Sequence, residues 1–209
     1  MPQTIFRYMN GKKSAYIIKA LQIFKQEGLR LSLEDLAEKM AISKKTLYNH
    51  FCSKEELHSA CMQHMFTDLN QKMTVLVDDS KNAIECMREG FKELKSVFFR
   101  LSPLFINDLR KLYPDMVYST HANDLDFFYT KIISNLEKGI KAGIYDPGMN
   151  IHFISQYFSY SVFGFFFHSL LSNRELMVTN YFETVLEYHL KGIVSEKGRK
   201  LLKKSLLSD

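Results

Sequence analysis

The sequence predicts an all-α fold in two parts, a three-helix head over residues 1–55 and a larger helical body over residues 56–209. Three observations support this. Ser32, Ser43 and Ser53 each precede a segment whose free first-turn N–H groups a hydroxyl can satisfy, and Asp35 and Glu56 stand three residues beyond the first and last of them, the spacing of a capping box. Apolar residues recur three and four apart through most of the chain, as in Val178, Tyr181, Phe182, Val185, Leu186, His189, Leu190 and Ile193, which is the period of a helix with one buried stripe. No segment alternates apolar and polar residues in the manner of a half-buried strand.

In the head, a first helix is expected from Lys12 to Glu27. Ile17, Ala20, Leu21 and Phe24 form its stripe and Gly28 supplies a left-handed stop. Ser32 opens a second helix that buries Leu33, Leu36, Ala37 and Met40, and Ser43 opens a short third one over Lys44 to His50. That third helix buries Leu47 and Phe51 and leaves Lys44, Lys45, Tyr48 and Asn49 to solvent. Ser53 then opens a long helix from Lys54 to about Leu76.

In the body, helices are expected at 82–101, 104–112, 116–142, 151–171 and 176–194. The helix at 104–112 lies between Pro103 and Pro114, and its ends are expected to be weakly held and easily shifted. The segment 151–171 is apolar nearly all round and must be covered on both sides. With 176–194 it is expected to pair with its own copy in a two-fold four-helix bundle. The candidate contacts are Phe153, Tyr160, Gly164, Phe167, Tyr181, Phe182, Val185 and His189. The basic tail GRKLLKKSLL reads as an amphipathic turn or a frayed end.

An apolar content of 46% supports a substantial core, and no apolar run reaches the 18 residues expected of a membrane span. The N-terminal MPQTIFRYMNGKK lacks the apolar region of a secretory signal. Cys52, Cys61 and Cys86 lack metal-ligand spacing and suit free thiols, with Cys52 expected to be a small packing residue. Together these features point to a cytoplasmic protein. The seven histidines form no HExxH, and Gly-rich phosphate loops, G-x-S-x-G and Cys-x-x-Cys are missing. Neither an enzyme nor a bound cofactor or metal is expected. Residues 1–58 carry ten Lys/Arg against six Asp/Glu, whereas 59–190 carry twelve against fifteen. A basic head on an acidic body suits nucleic-acid binding by the head alone.

The division of labour within the head is that of a helix-turn-helix, in which one helix packs and the next lays its polar face in the major groove. Lys44 and Lys45 can reach guanine edges or phosphates, Asn49 can read adenine, and Thr46 can touch a phosphate or a thymine methyl. Lys54 sits at a helix N-terminus, where free N–H groups and an ammonium face the same anion. Ser32 and Ser43, at the helix starts, complete the candidate surface with Tyr48 and His50.

The run from Ala20, Phe24 and Gly28 through Ser32, Leu36, Ala37, Ile42 and Ser43 to TLYNHFCSKEEL (Thr46–Leu57) resembles the TetR family of bacterial transcription regulators. Ala41 and Lys45 stand where the family commonly has glycine, so Ala41 must either avoid positive φ or carry strain there. The resemblance implies that Tyr48, His50 and Lys54 hold phosphates of a double-stranded operator bound by a homodimer. It also implies a repressor released by a small apolar effector of unknown identity, bound in the body near Phe91, Leu94, Phe98, Phe105, Asn107, Leu109, Arg110, Tyr113, His121, Phe128, Tyr129 and Phe158. The helix starting at Lys54 would be the mechanical link and 104–112 the pocket floor. The alternative is an effector-independent architectural dimer with the same head and a solid body.

Overall fold

A computed structural model describes residues 11–114, 126–171 and 181–205, with side chains outside the description at 126, 163–171, 181 and 205. Ten α-helices run through the described residues: α1 Gly11–Glu27, α2 Leu33–Lys39, α3 Lys44–Tyr48, α4 Lys54–Lys72, α5 Ala83–Phe98, α6 Pro103–Leu112, α7 Asp126–Lys141, α8 Ile151–Leu171, α9 Tyr181–Ile193 and α10 Glu196–Ser205. A short 3₁₀ segment, Met73–Val77, follows α4, where the sequence suggests continued α-helix. The only strand-like pairing among the described residues is an isolated bridge between Tyr145 and Val194, so the all-α expectation holds.

The chain forms two compact units. The first is Met1–Asp68 with Arg100–Tyr118, and the second is Leu69–Phe99 with Ser119–Asp209. The division falls inside α4, and it groups α6 with the first three helices although α6 lies some fifty residues beyond residue 55. In the first unit, Ile17, Ala20, Leu21 and Phe24 of α1 and Leu36 and Ala37 of α2 are buried together with Leu47, Phe51, Leu57, Phe105 and Leu109.

Each start signal has the expected chemistry. Ser32 caps α2 in a complete box with Asp35. Ser43 accepts from the Thr46 N–H at 3.0 Å, and Ser53 accepts from the Glu56 N–H at 3.1 Å. The third box closes one residue early, because the Glu56 carboxylate accepts from the Cys52 N–H at 2.7 Å. Asn82 caps α5 with Glu85 in the same way. The third helix is shorter than the sequence suggests. It ends at Tyr48 with Asn49 as its C-cap, and the chain tightens as His50 N–H donates to Leu47 O.

In the second unit the buried amide of Asn135 on α7 is the polar centre. Its Nδ2 donates to Leu76 O at 2.9 Å and Ala83 O at 3.0 Å, and its Oδ1 accepts from the Tyr145 hydroxyl at 3.2 Å. One side chain thus closes carbonyls at the end of the 3₁₀ segment and the start of α5, satisfying groups that burial would otherwise leave costly. Gly139 lets the fully buried Tyr145 lie flat on α7, since a Cβ there would stand 2.0 Å from the ring. The described part of the basic tail forms helix α10, Glu196–Ser205, seated through Leu202 and Gly198.

Positive φ occurs at Gly28 (85°), as expected for the stop of α1, at Gly143 (67°), and at one non-glycine among the described residues, Ala41 (53°). Ala41 therefore takes the strained alternative, in the turn between α2 and α3. Left-handed backbone costs an alanine roughly 1–2 kcal/mol, and the extra freedom of an unfolded glycine returns roughly half of that. Ala41 is exposed, so its methyl contributes no packing. Ala41→Gly is expected to stabilise the protein by about 0.5–1 kcal/mol, read as a rise of a few degrees in Tm or a higher urea midpoint at unchanged m.

Candidate nucleic-acid interface

The candidate surface is built on α3. Leu47 and Phe51 are fully buried, which fixes the opposite face toward solvent. On that face Lys44, Lys45, Tyr48 and Asn49 are exposed and Thr46 is half-buried. The sequence reading of this face is therefore reproduced residue by residue, apart from the earlier end of the helix.

Several of the exposed groups already have partners. Lys44 forms a close ion pair with Glu34 of α2 and lies 5.6 Å from the centre of the Tyr48 ring. The hydrogen bond from Lys44 holds the Glu34 carboxyl below its ordinary range, and Glu34 in turn raises the Lys44 ammonium. Thr46 and Ser43 share a hydroxyl contact of 2.7 Å. The Ser32 hydroxyl is turned to Asp35 at 2.6 Å, which lowers that carboxyl. His50 is half-buried, with its ring 4.9 Å from Tyr16 of α1. Lys54 opens α4 and is half-buried.

Lys13 is committed inside the unit: it pairs with Glu56 at 3.0 Å and lies 4.9 Å over the Phe51 ring, which secures the loop between α3 and α4. Cys52 is exposed and not a packing residue, whereas Cys61 and Cys86 are buried; burial pushes the Cys61 thiol up to about 12.

The residues proposed for an effector pocket are divided between the units. Phe105, Asn107, Leu109, Arg110 and Tyr113 lie in the first, and Phe91, Leu94, Phe98, Phe128, Tyr129 and Phe158 in the second; His121 lies outside the described residues. In the first unit Phe105 and Leu109 are buried on α6, the Arg110 guanidinium donates to Asn107 at 3.3 Å, and the Tyr113 hydroxyl meets His58 Nδ1 at 2.8 Å. Burial first, then the nearby Lys54 charge, lowers His58 to about 4. In the second unit Phe91 packs on Phe158 with ring centres 4.8 Å apart, and His189 stacks on Phe158 at 3.6 Å. Burial lowers His189 to about 3, so it is neutral. Tyr129 bonds His152 at 3.0 Å.

Of the residues proposed for pairing between copies, Phe153 and Tyr160 are exposed and Val185 is half-buried. Phe182 and His189 are buried within their own unit, Phe182 lying 6.1 Å from Phe98 in a stacked arrangement. Gly164, Phe167 and Tyr181 lie where only the backbone is described. Sequence reading missed Glu34 and Asp108. Glu34 sits in the first turn of α2 with nothing in its own helix to mark it as the partner of Lys44. Asp108 is buried on α6 and bonded to a residue far away in sequence.

The sequence model for the tetR family of bacterial regulatory proteins matches residues 17–61, which run from the α1 stripe to Cys61 on α4. Over this segment the chain resembles the TetR family. An uncharacterized HTH-type transcriptional regulator of Bacillus subtilis, YvaF, is 25% identical over 100 residues. That match covers 47% of this chain and 53% of YvaF, so it spans only about half of the curated relative. A transcriptional regulator from Cytophaga hutchinsonii superposes with a TM-score of 0.71 at 18% identity, covering 89% of this chain and all of that one. SmeT, the repressor of the Stenotrophomonas maltophilia efflux pump SmeDEF, gives 0.64 at 16% identity over 88% of this chain and 91% of its own. At such identities the likeness speaks for fold alone, a helix-turn-helix head and a helical C-terminal body, over nearly the whole chain. Among the described residues no helix is long and apolar enough to cross a membrane.

The Lys44–Glu34 pair gives this head a measurable feature. DNA binding through Lys44 must exchange a carboxylate for a phosphate, and Glu34 then stands as an unpaired like charge near the backbone. Glu34→Gln is expected to tighten binding to duplex DNA several-fold and to steepen the salt dependence. Fluorescence anisotropy across a salt series measures both, and unchanged affinity and slope would exclude Lys44 from the phosphate contacts.

Proposed function

We propose that this protein is a transcriptional regulator that binds a double-stranded DNA operator as a homodimer and is released by a small, largely apolar effector. The observation that carries the DNA reading is the exposed Lys44–Lys45–Tyr48–Asn49 face of α3, held outward by buried Leu47 and Phe51. With Lys54 at the start of α4, it combines base-reading side chains with phosphate-holding ones. The TetR-family match over the same residues supports it. In this reading Lys45 and Asn49 specify sequence, while Tyr48, His50 and Lys54 hold the backbone.

Homodimerisation is supported by α8. Its buried face is Ser155, Phe158 and Val162. Its opposite face carries Phe153, Tyr157 and Tyr160, exposed by 61%, 58% and 58%, and Tyr188 of α9 is exposed by 73%. Aromatics spaced four and three apart on one helix form a stripe, and a stripe this exposed is characteristic of a contact surface. Tyr160→Asp is expected to convert the dimer to a folded monomer in sedimentation velocity at micromolar concentration; a monomeric parent protein removes the dimer from the proposal.

The effector reading is supported by the interior of the second unit. Ser155 Oγ and His189 Nε2 are buried there without a hydrogen-bond partner, beside the Phe91–Phe158–His189 stack. Buried polar atoms are rarely left unpaired, and a neutral imidazole with a hydroxyl suits a neutral polar group on an otherwise apolar molecule. Solved relatives of similar fold include a ketosteroid regulator of Mycobacterium tuberculosis, which is consistent with that chemistry.

Genome-wide mapping of bound DNA, repeated with a panel of apolar ligands, tests the proposal as a whole. Bound sites are expected to share a near-palindrome with half-sites about one helical turn apart or somewhat wider. Lys54→Ala is expected to weaken binding to every sequence and lower the salt slope by about one, whereas Lys45→Ala changes base preference. The absence of any enriched site overturns the DNA reading. Enriched sites that no ligand releases favour the effector-independent dimer.

A further inference from the structure

We propose that Asp108, on α6, is a positioning residue for the helix-turn-helix, so that DNA recognition depends on a side chain far outside the family-matched segment 17–61. The inference rests on the reading that the head binds DNA.

Asp108 is 1% exposed. Its Oδ2 accepts from the Leu29 N–H at 2.9 Å. Its Oδ1 lies 2.8 Å from the Arg30 Nε, with the N–H not aligned for a hydrogen bond, so this second contact is one of charge. A carboxylate in such a place is expensive unless its bonds are used. Here it satisfies a backbone donor that the left-handed stop of α1 leaves unpaired in a buried residue, Leu29 being fully buried.

The approach is close because residue 28 is glycine. At its φ of 85° a Cβ would stand 2.5 Å from Asp108 Oδ2 and 2.8 Å from Leu104 Cγ. Both ends of α6 are tied to the same unit. The Ser102 N–H donates to Lys25 O at 2.9 Å in the last turn of α1. At the other end Tyr113 bonds His58 of α4, whose ring meets the Phe24 ring edge-on at 4.9 Å. The weakly held helix expected between two prolines is therefore fastened at its start, middle and end.

The grip falls where it matters for α3. The 28–31 turn leads directly into Ser32, the N-cap of α2, and α2 packs against α3. The direction in which α2 leaves the turn sets where α3 stands. Asp108 is thus the side chain that fixes the turn from outside the helix-turn-helix itself. An apolar residue could fill the same space but could not hold the Leu29 N–H.

The test uses full-length protein and a 30-base-pair duplex selected by the parent protein from a random library, with poly(dA-dT) duplex as the non-specific control. Asp108→Leu is expected to remain helical by circular dichroism, to lose tenfold or more in affinity for the selected duplex, and to change less than twofold on the control. Asp108→Asn keeps an acceptor for the Leu29 N–H and is expected to restore affinity to within about threefold of the parent. A merely structural role would lower Tm without moving the ratio of selected to control affinity at a temperature well below unfolding. Should the leucine variant not fold, Asp108→Ser, too short to reach Leu29, reads the same ratio. A folded Asp108→Leu or Asp108→Ser protein with the parent's ratio overturns the proposal. A parent protein that enriches no duplex overturns the DNA reading on which it rests.

Discussion

A five-residue helix does not stand by itself. Nucleation fixes several residues for a single turn of hydrogen bonds, and α3 has little more than that turn. What holds it is the burial of Leu47 and Phe51, each contributing on the order of 2 kcal/mol on transfer out of water. The rest of the first unit can be understood as the means of keeping that burial in place. Serine caps fix where α2, α3 and α4 start, Lys13 covers Phe51 and pairs with Glu56 to close the following loop, and α6 grips the turn before α2. The polar face of α3 follows from this anchoring, since side chains opposite two buried anchors have nowhere to point but outward.

The same caps impose an electrostatic constraint. Helix N-termini favour acidic side chains, and Glu34, Asp35, Glu55 and Glu56 occupy the first turns of α2 and α4. Those are also the termini that a phosphate would approach. The structure limits the conflict by pairing the acids internally: Lys44 with Glu34, Lys13 with Glu56, and the Ser32 hydroxyl with Asp35. Nearby cations are partly committed before any DNA arrives, so the net positive charge of the head overstates the field available to a phosphate.

Legibility in the sequence followed the range of the interaction. The caps at Ser32, Ser43 and Ser53, the stop at Gly28 and the buried stripe of α1 all involve residues within four positions of one another, and all could be read from spacing. The exposed face of α3 was legible for the same reason. The early end of α3 was not, because Asn49 and His50 turn on backbone geometry that no side-chain pattern marks. Asp108 and Leu29 are 79 residues apart, and nothing local distinguishes a gripping aspartate from a solvated one. Phe182 and His189 illustrate a different limit: a helical stripe shows which residues are covered, but not whether the cover comes from the same chain or from another copy.

Each unit contains buried polar groups, some fully used and some, such as Ser155 and His189 in the second, left without a hydrogen-bond partner. In the second, Asn135 is fully used, with its donors and its acceptor all engaged, and such a network specifies one arrangement of the helices around it. In the first, Asp108 Oδ1 lacks an aligned donor and His58 Nε2 lacks a partner, although both are buried. A carboxylate held by one aligned bond and one charge contact, next to a glycine whose replacement would displace the Asp108 and Leu104 side chains, is a specific but incompletely satisfied joint. A fully apolar joint at this point would bury the same area and leave the turn free to settle in more than one direction. The polar joint gives up some stability for a single orientation of α2, and orientation is the property that a recognition helix requires.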